Sequence, residues 1–413
     1  MAACRHLNFN LFVMIEKMKS RNVKLKWMNG IPPVTKRVAL LIPQYNEGKN
    51  FDLLHRLNYF MSLAKEHRTW MDVILIDDGS TDSSFSQIES FVREHPDAFY
   101  FASVKPNAMK VGALYLVSEA VQHEYVILSD FDTDLLHLSN LPASLDILDK
   151  DPRQIGCYFK MIPFSGSGSC FRLQQLEYSF ARMYYKFHRK DKSVPVMPGA
   201  GSCFKRELLL EVYAFHSGLR NGEDREATIL ALKMGMEIMY TKDVLALTRP
   251  PLTFSTLLTQ RNRWYLGYIE TFLKEKEFYM KMLVRFKRIG LRTLQDALGI
   301  AGLLLLPLEI LLVSLISIKI ALYALIGVYL TSVSYYFLLF LSNRDERREI
   351  KGKNVQLIVV YPLFWLLISF LAWWNAAIAY RRKTGKKEKD QGVVIALRNQ
   401  DQDVLLEEAA NEN

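Results

Sequence analysis

Cysteine is scarce in this chain, and what there is excludes two architectures. Only four occur in 413 residues, Cys4, Cys157, Cys170 and Cys203. Their spacing suits neither a disulfide framework nor a paired metal-ligand motif, and it suggests a reduced, cytosolic catalytic region. A G-x-G-x-x-G at the first strand-to-helix turn is also missing, which sets dinucleotide chemistry aside. The GSGS at Gly166 to Ser169 lies elsewhere and reads as a flexible loop. No secretory signal is read in HLNFNLFVMIEKMKSRNVKLKW, where apolar residues at mixed helical spacing run into Lys17, Lys19, Arg21, Lys24 and Lys26. That stretch is too broken to cross a bilayer, so residues 1–35 are expected to form a basic interfacial segment.

Apolar residues are plentiful at the other end. Leu298 to Ile318, Ile320 to Leu341 and Val355 to Tyr380 are each long enough to cross a hydrocarbon layer of roughly 30 Å at about 1.5 Å per residue. About three transmembrane helices are expected over 297–382, with a polar, disordered tail over 383–413. Pro307 and Glu309 inside the first span call for protein neighbours, because an unpaired carboxyl facing lipid is costly. Positive-inside counting wants both Arg344 to Lys353 and Arg381 to Lys389 in the cytosol, yet one apolar segment separates them. Either that segment does not cross fully or one basic stretch is outside. The formal charge is +10, from 53 basic and 43 acidic residues. Lys274, Lys276, Lys281, Arg285, Lys287, Arg288 and Arg292 flank the first span, favouring an anionic lipid surface over nucleic acid. An integral membrane protein is expected, in the plasma membrane rather than an internal one.

Residues 36–250 alternate short apolar runs with helical stretches: VALLIP, VILIDD, FYFASV and YVILSD, each followed by amphipathic sequence. The alternation predicts an α/β domain with a mostly parallel sheet and helices on both faces, whose ligand lies beyond the carboxyl ends of the strands. Those ends are polar and acidic. Asp130 and Asp132, or Asp132 and Asp134, lie two apart and can share one Mg2+ or Mn2+, the remaining positions being filled by water and phosphate oxygens. Asp134 can equally cap a following helix. Asp78 and Glu47 offer acceptors to a base or ribose, Tyr45 offers a ring face, and Lys110 a phosphate partner. In Gly222-Glu223-Asp224-Arg225, Asp224 is the candidate to take a proton from an attacking hydroxyl, although acids at a helix start also suit the dipole.

PQYNEG, DDGSTD, the DFD of Asp130 to Asp132, GAGSCFKREL, GED and QRNRW occur in an order that resembles the processive, membrane-integrated family 2 glycosyltransferases: hyaluronan, cellulose, poly-N-acetylglucosamine and chitin-oligosaccharide synthases. The resemblance covers Val38 to Tyr268 and implies a GT-A fold using a UDP-sugar, UDP-GlcNAc or UDP-Glc. By motif, Tyr45, Glu47 and Asp78 resemble uridine contacts, Lys110 and Asp130 nucleotide contacts, and Asp132, with Asp134 beside it, the metal site. Asp224 resembles the base. Gln260, Arg263 and Trp264 resemble the QxxRW group on amphipathic interfacial helices over 251–296, Arg263 near the diphosphate and Trp264, with Gln260 and Glu223, at the acceptor. Gly199, Gly201, Ser202 and Cys203 resemble the loop by which a carbohydrate or lipid-linked acceptor enters. Arg261 is read as facing solvent or lipid phosphate.

Two departures stand out. The resembled synthases carry amino-terminal spans, and three spans make a thin wall for a polymer channel, which brings in a homo-oligomer or a secretion partner. DTDLLH resembles the acidic motif of polyprenyl-phosphate sugar synthases, keeping open a single transfer to polyprenyl phosphate or ceramide. A non-catalytic nucleotide-binding scaffold is the rival of another class.

Overall fold

The computed structural model describes residues 13–49, 52–218, 220–350 and 352–384. Cys4, the first part of the expected interfacial segment and nearly all of the tail lie outside the described residues.

Strands β2 (Val38–Gln44) and β3 (Met71–Asp77) are buried almost throughout, as VALLIPQ and MDVILID require of strands covered on both faces. With β4 (Tyr100–Lys105) and β5 (Tyr125–Leu128) they form a parallel block in the order β4–β3–β2–β5. Helices α2 (Leu53–Glu66), α3 (Ser84–Glu94) and α4 (Met109–Ala120) connect these strands. The chain continues through β6 (Thr133–Leu136), α5 (Leu141–Lys150), β7 (Gln154–Pro163), α6 (Gly168–His188), β8 (Ser202–Lys205), α7 (Arg206–Ala214), α8 (Glu223–Lys233) and β9 (Glu237–Thr248). These later strands complete a nine-stranded mixed sheet: β8 pairs antiparallel with β5 and β7, β7 parallel with β9, and β6 antiparallel with β9.

The amino-terminal reading needs correction. Helix α1 (Val13–Ser20) buries Met14 and Met18, and β1 (Lys24–Trp27) joins the sheet edge antiparallel to β4. A Cβ at Gly112 of α4 would lie 2.8 Å from the Met18 sulfur, so the two helices meet closely there. The basic residues sit on the outer face of this layer while its apolar ones complete the domain core. Residues 13–27 therefore pack as part of the sheet domain.

Beyond the sheet come α9 (Phe254–Lys274), α10 (Lys276–Val284), α11 (Arg288–Ile316) and α12 (Ile318–Ser342), then a last helix, Tyr361–Thr384. The first two spans and the last helix are long and apolar enough to cross a membrane. Glu309 is exposed on α11, not covered by a neighbouring element as expected. Few elements of the single chain pack on that helix: the main contacts are with α10, α12 and α6.

Candidate active site

The acidic loop after β5 is built around a buried cation. Arg56 of α2, 1 % exposed, donates from Nε to the Phe131 carbonyl at 2.8 Å and from Nη2 to the Thr133 carbonyl at 2.9 Å. Its remaining nitrogen pairs with the Asp134 carboxylate. Asp134 is thus turned under the loop towards Arg56, which weighs against its expected share in a metal site. Asp132 is left on the open side. Surrounding protein, and next the Asp130 charge, push its carboxyl up to about 6. A divalent ion held by Asp132, with Asp130 beside it, would relieve that, so the donor set fits one, although among the described residues no group of three or more metal-type ligands gathers.

Lys110 opens α4 and reaches across the cleft. Its Nζ lies 2.5 Å from Asp130 Oδ1 and 3.8 Å from Glu223 Oε1. Burial pulls the ammonium down, but Asp130 and Glu223 outweigh it and hold Lys110 above its ordinary value. Glu223 begins α8 after Gly222, whose φ of 70° is the left-handed conformation that favours glycine. Burial, then the neighbouring Asp224 charge, raises the Glu223 carboxyl to about 7. Burial also raises Asp224, against the pull of Lys110.

The loop before β8 closes this cleft. A Cβ at Gly199 would lie 3.0 Å from Lys110 Nζ and 3.8 Å from the Asp224 Cβ, so a side chain there would crowd the ammonium and touch Asp224. Gly201 passes equally close to β9, where an added Cβ would sit 2.6 Å from the Ala246 Cβ. The Met197 amide donates to Thr228 Oγ1 at 2.8 Å, and that hydroxyl donates to the Asp224 carbonyl at 2.6 Å, tying the loop to α8. Ser202 and Cys203 are corrected: both are fully buried in β8, where Ser202 Oγ donates to the Pro198 carbonyl at 2.7 Å. Flanked by β5 and β7, they shape the loop and do not face an acceptor.

At the other strand ends, Asp78 is 4 % exposed and accepts from Asn107 Nδ2 at 2.9 Å and the Ala108 amide at 2.7 Å. It fastens the approach to α4, and burial lifts its carboxyl to about 7. Tyr45 is 45 % exposed and its ring is open to a ligand. Glu47 is half-buried after it.

The QRNRW stretch lies on α9. Gly267, one turn after Arg263 and Trp264, packs backbone to backbone on Gly222, an added Cβ meeting the Gly222 nitrogen at 2.6 Å. This sets the QxxRW turn beside the start of α8. Arg263 and Trp264 are exposed and Gln260 is half-buried. Arg261 reverses the expectation: it is buried, because it follows Leu257 by four residues on the inner face of α9, and it pairs with Glu177 of α6. Sequence reasoning missed Arg56, Glu177 and Arg225, whose guanidinium lies 4.5 Å from the Tyr268 ring. The available signal was positional: Arg56 interrupts the apolar stripe Leu53, Leu57, Phe60.

A mixed α/β sheet with acids gathered at its strand ends defines a GT-A-like fold. Residues 33–267 match the family described as glycosyltransferase like family 2, and the chain belongs to that family. It is similar to an N-acetylglucosaminyltransferase of Azorhizobium caulinodans, 25% identical over 244 residues that cover 56% of this chain and 59% of that protein. A putative glycosyltransferase, CsbB, of Bacillus subtilis is 34% identical over 98 residues, 23% of this chain and 28% of that one. The chain thus spans less than two thirds of the length of these relatives. Among solved structures, a mannosyltransferase from Pyrobaculum calidifontis in complex with GDP-Man and Mn2+ superposes with a TM-score of 0.53 at 18% identity, covering 86% of this chain and 94% of that one. At that identity the likeness is one of fold.

Proposed function

We propose that the protein is a membrane-bound, inverting β-glycosyltransferase that moves a sugar from a UDP-sugar, UDP-GlcNAc or UDP-Glc, onto an acceptor hydroxyl, elongating a carbohydrate chain on the cytosolic side of the plasma membrane. One observation carries it: Lys110 spans from Asp130 to Glu223, so a nucleotide-side acid and the GED acids lie within reach of one ammonium.

In this reading Tyr45 stacks on the base, with Glu47 and Asp78 bordering the same pocket. Lys110 and Arg263 face the diphosphate oxygens, Arg263 with a fixed fork of donors. Mg2+ or Mn2+ held by Asp132 with Asp130 would neutralise charge gained by the leaving diphosphate. The acceptor lies along Gly199, Gly201 and Glu223, with Gln260 and the exposed face of Trp264. Its hydroxyl oxygen attacks the anomeric carbon, the bond from that carbon to the diphosphate oxygen breaks, and UDP leaves with the electron pair. The hydroxyl proton passes to Asp224, whose carboxyl burial raises above the ordinary carboxylate range, which makes it a stronger base than an exposed aspartate.

A second reading, transfer of one sugar to a lipid acceptor, draws support from the last helix. Near its start Tyr361 packs on Phe180 of α6, and at its end Lys383 pairs with Glu270 of α9. That leaves α11 and α12, the latter also packed on α6 through Tyr336 and Phe180, as a thin wall for a growing polymer. Incubating membranes containing the protein with a panel of UDP-sugars, with and without added metal, and weighing the products tests both. A ladder of oligomers is expected; one glycosylated lipid would select the second reading, and nucleotide binding without metal-dependent UDP release would defeat both.

A further inference from the structure

The motif on α9 has an arginine that the motif itself does not specify. Arg261 is 1 % exposed, and its side chain touches two of the three motif residues. Nη1 donates to Gln260 Oε1 at 2.7 Å, and the guanidinium carbon lies 4.0 Å from the centre of the Trp264 ring. Nη2 donates to Glu177 Oε2 of α6 at 2.6 Å. With its carbonyl oxygen engaged by Arg261, Gln260 keeps its amide hydrogens for something else.

Helix α6 is a firm support for this contact. One turn before Glu177, Gln174 Nε2 donates to the Pro251 carbonyl at 2.6 Å, holding the lead into α9. One turn after it, Phe180 packs on Tyr336 of α12 and on Tyr361 of the last helix. Arg182 then pairs with Glu346, 2.6 Å away, beyond the end of α12. The Glu177–Arg261 pair therefore links the motif turn to a helix that the membrane segment itself holds.

We infer that Arg261 is a positioning residue: with Glu177 as its counter-charge, it fixes the Trp264 ring and the Gln260 amide in the attitude that receives the acceptor. This rests on the reading that Trp264 faces the acceptor. A planar, always-charged fork is required, since only that shape can bond two side chains in its plane while stacking a ring on its face; lysine supplies the charge alone. The opposite face of the Trp264 indole stays free for a sugar, consistent with its 46% exposure.

The test uses the full chain in nanodiscs, with a short β-linked N-acetylglucosamine oligomer as acceptor probe and UDP as donor-side probe, both followed by calorimetric titration. Arg261→Gln is expected to weaken oligomer binding about tenfold while UDP binding stays within about twofold. Arg261→Lys is expected to fall between wild type and Arg261→Gln, and Glu177→Gln to match Arg261→Gln in direction. The Arg261→Gln/Glu177→Gln pair is expected to cost no more than the worse single change, because both remove one contact. Glu177→Gln also keeps the test alive if Arg261→Gln does not fold. Trp264→Ala, run in parallel, separates the two levels: oligomer affinity that drops with Trp264→Ala but holds with Arg261→Gln and Glu177→Gln overturns the inference alone. Oligomer affinity unmoved by Trp264→Ala overturns the acceptor reading and the inference with it. Equal losses for UDP and oligomer in the Arg261 and Glu177 variants also overturn it, since they describe general loosening.

Discussion

At the scale of single residues, the site is a balance between one ammonium and several crowded acids. Glu223 is raised to about 7, by burial first and by Asp224 next, and burial raises Asp224 too, so the two neighbouring acids titrate as a pair. In the proposed reaction Asp224 must be deprotonated to take the proton, and burial raises its carboxyl, so transfer is expected to fall as pH drops and that carboxylate is protonated. Glu223→Gln removes the neighbouring negative charge, which makes Asp224 easier to ionise. The acid limb of the pH–rate profile is therefore expected to move to lower pH in that variant, and an unmoved limb would show that Asp224 does not set it. Asp130 and Asp132 were legible in the sequence because chemistry in an open α/β sheet belongs at strand ends, and Glu223 and Asp224, which begin a helix, through the GED motif. Their cations were not. A guanidinium such as Arg56 or Arg261 declares its role only when its helix is docked, and Asp134, read as a metal candidate, was claimed by one of them.

At the scale of elements, the contact that brings the QxxRW turn beside GED is the crossing of α8 and α9 at two glycines. Gly222 needs its positive φ, and Gly267 has no room for a Cβ against the Gly222 backbone. Gly267→Ala forces backbone apart from backbone and is expected to cost about 1–3 kcal/mol, with transfer falling further than stability alone explains because α9 shifts from α8. Denaturant unfolding together with specific activity checks this; an unchanged unfolding midpoint would contradict the close crossing. The alternation of strands and helices from Val38 to Leu128 was readable because each strand is a continuous apolar run. The amino-terminal layer was not. Met14 and Met18 lie one turn apart, a pattern that serves a lipid surface and a protein core equally, and only the small Gly112 opposite decides for the core.

At the scale of the whole molecule, the contacts of the last helix bear on where the two basic stretches lie. Glu346, in the first, pairs with Arg182 of α6, and Lys383, in the second, pairs with Glu270 of α9. Between them Tyr265 of α9 stacks on Trp373 with ring centres 4.3 Å apart. Contacts at both ends to helices of the catalytic side fit the positive-inside count with both stretches in the cytosol. Single cysteines at Asp345 and Thr384, in a chain whose native cysteines are replaced, are thus expected to react with an impermeant maleimide only in inside-out vesicles. Labelling of either one from outside would mean a full crossing. The sequence left this conflict open, because hydropathy reports that a segment is apolar and not what it packs against.

The most direct test of the central claim is Asp224→Asn. The substitution keeps shape and the oxygen that accepts the Arg225 amide at 2.8 Å, while removing the group that takes the proton. Loss of transfer by about 10²–10⁴-fold with UDP affinity within about twofold of wild type is expected. Transfer at the wild-type rate would show that the reaction finds its base elsewhere.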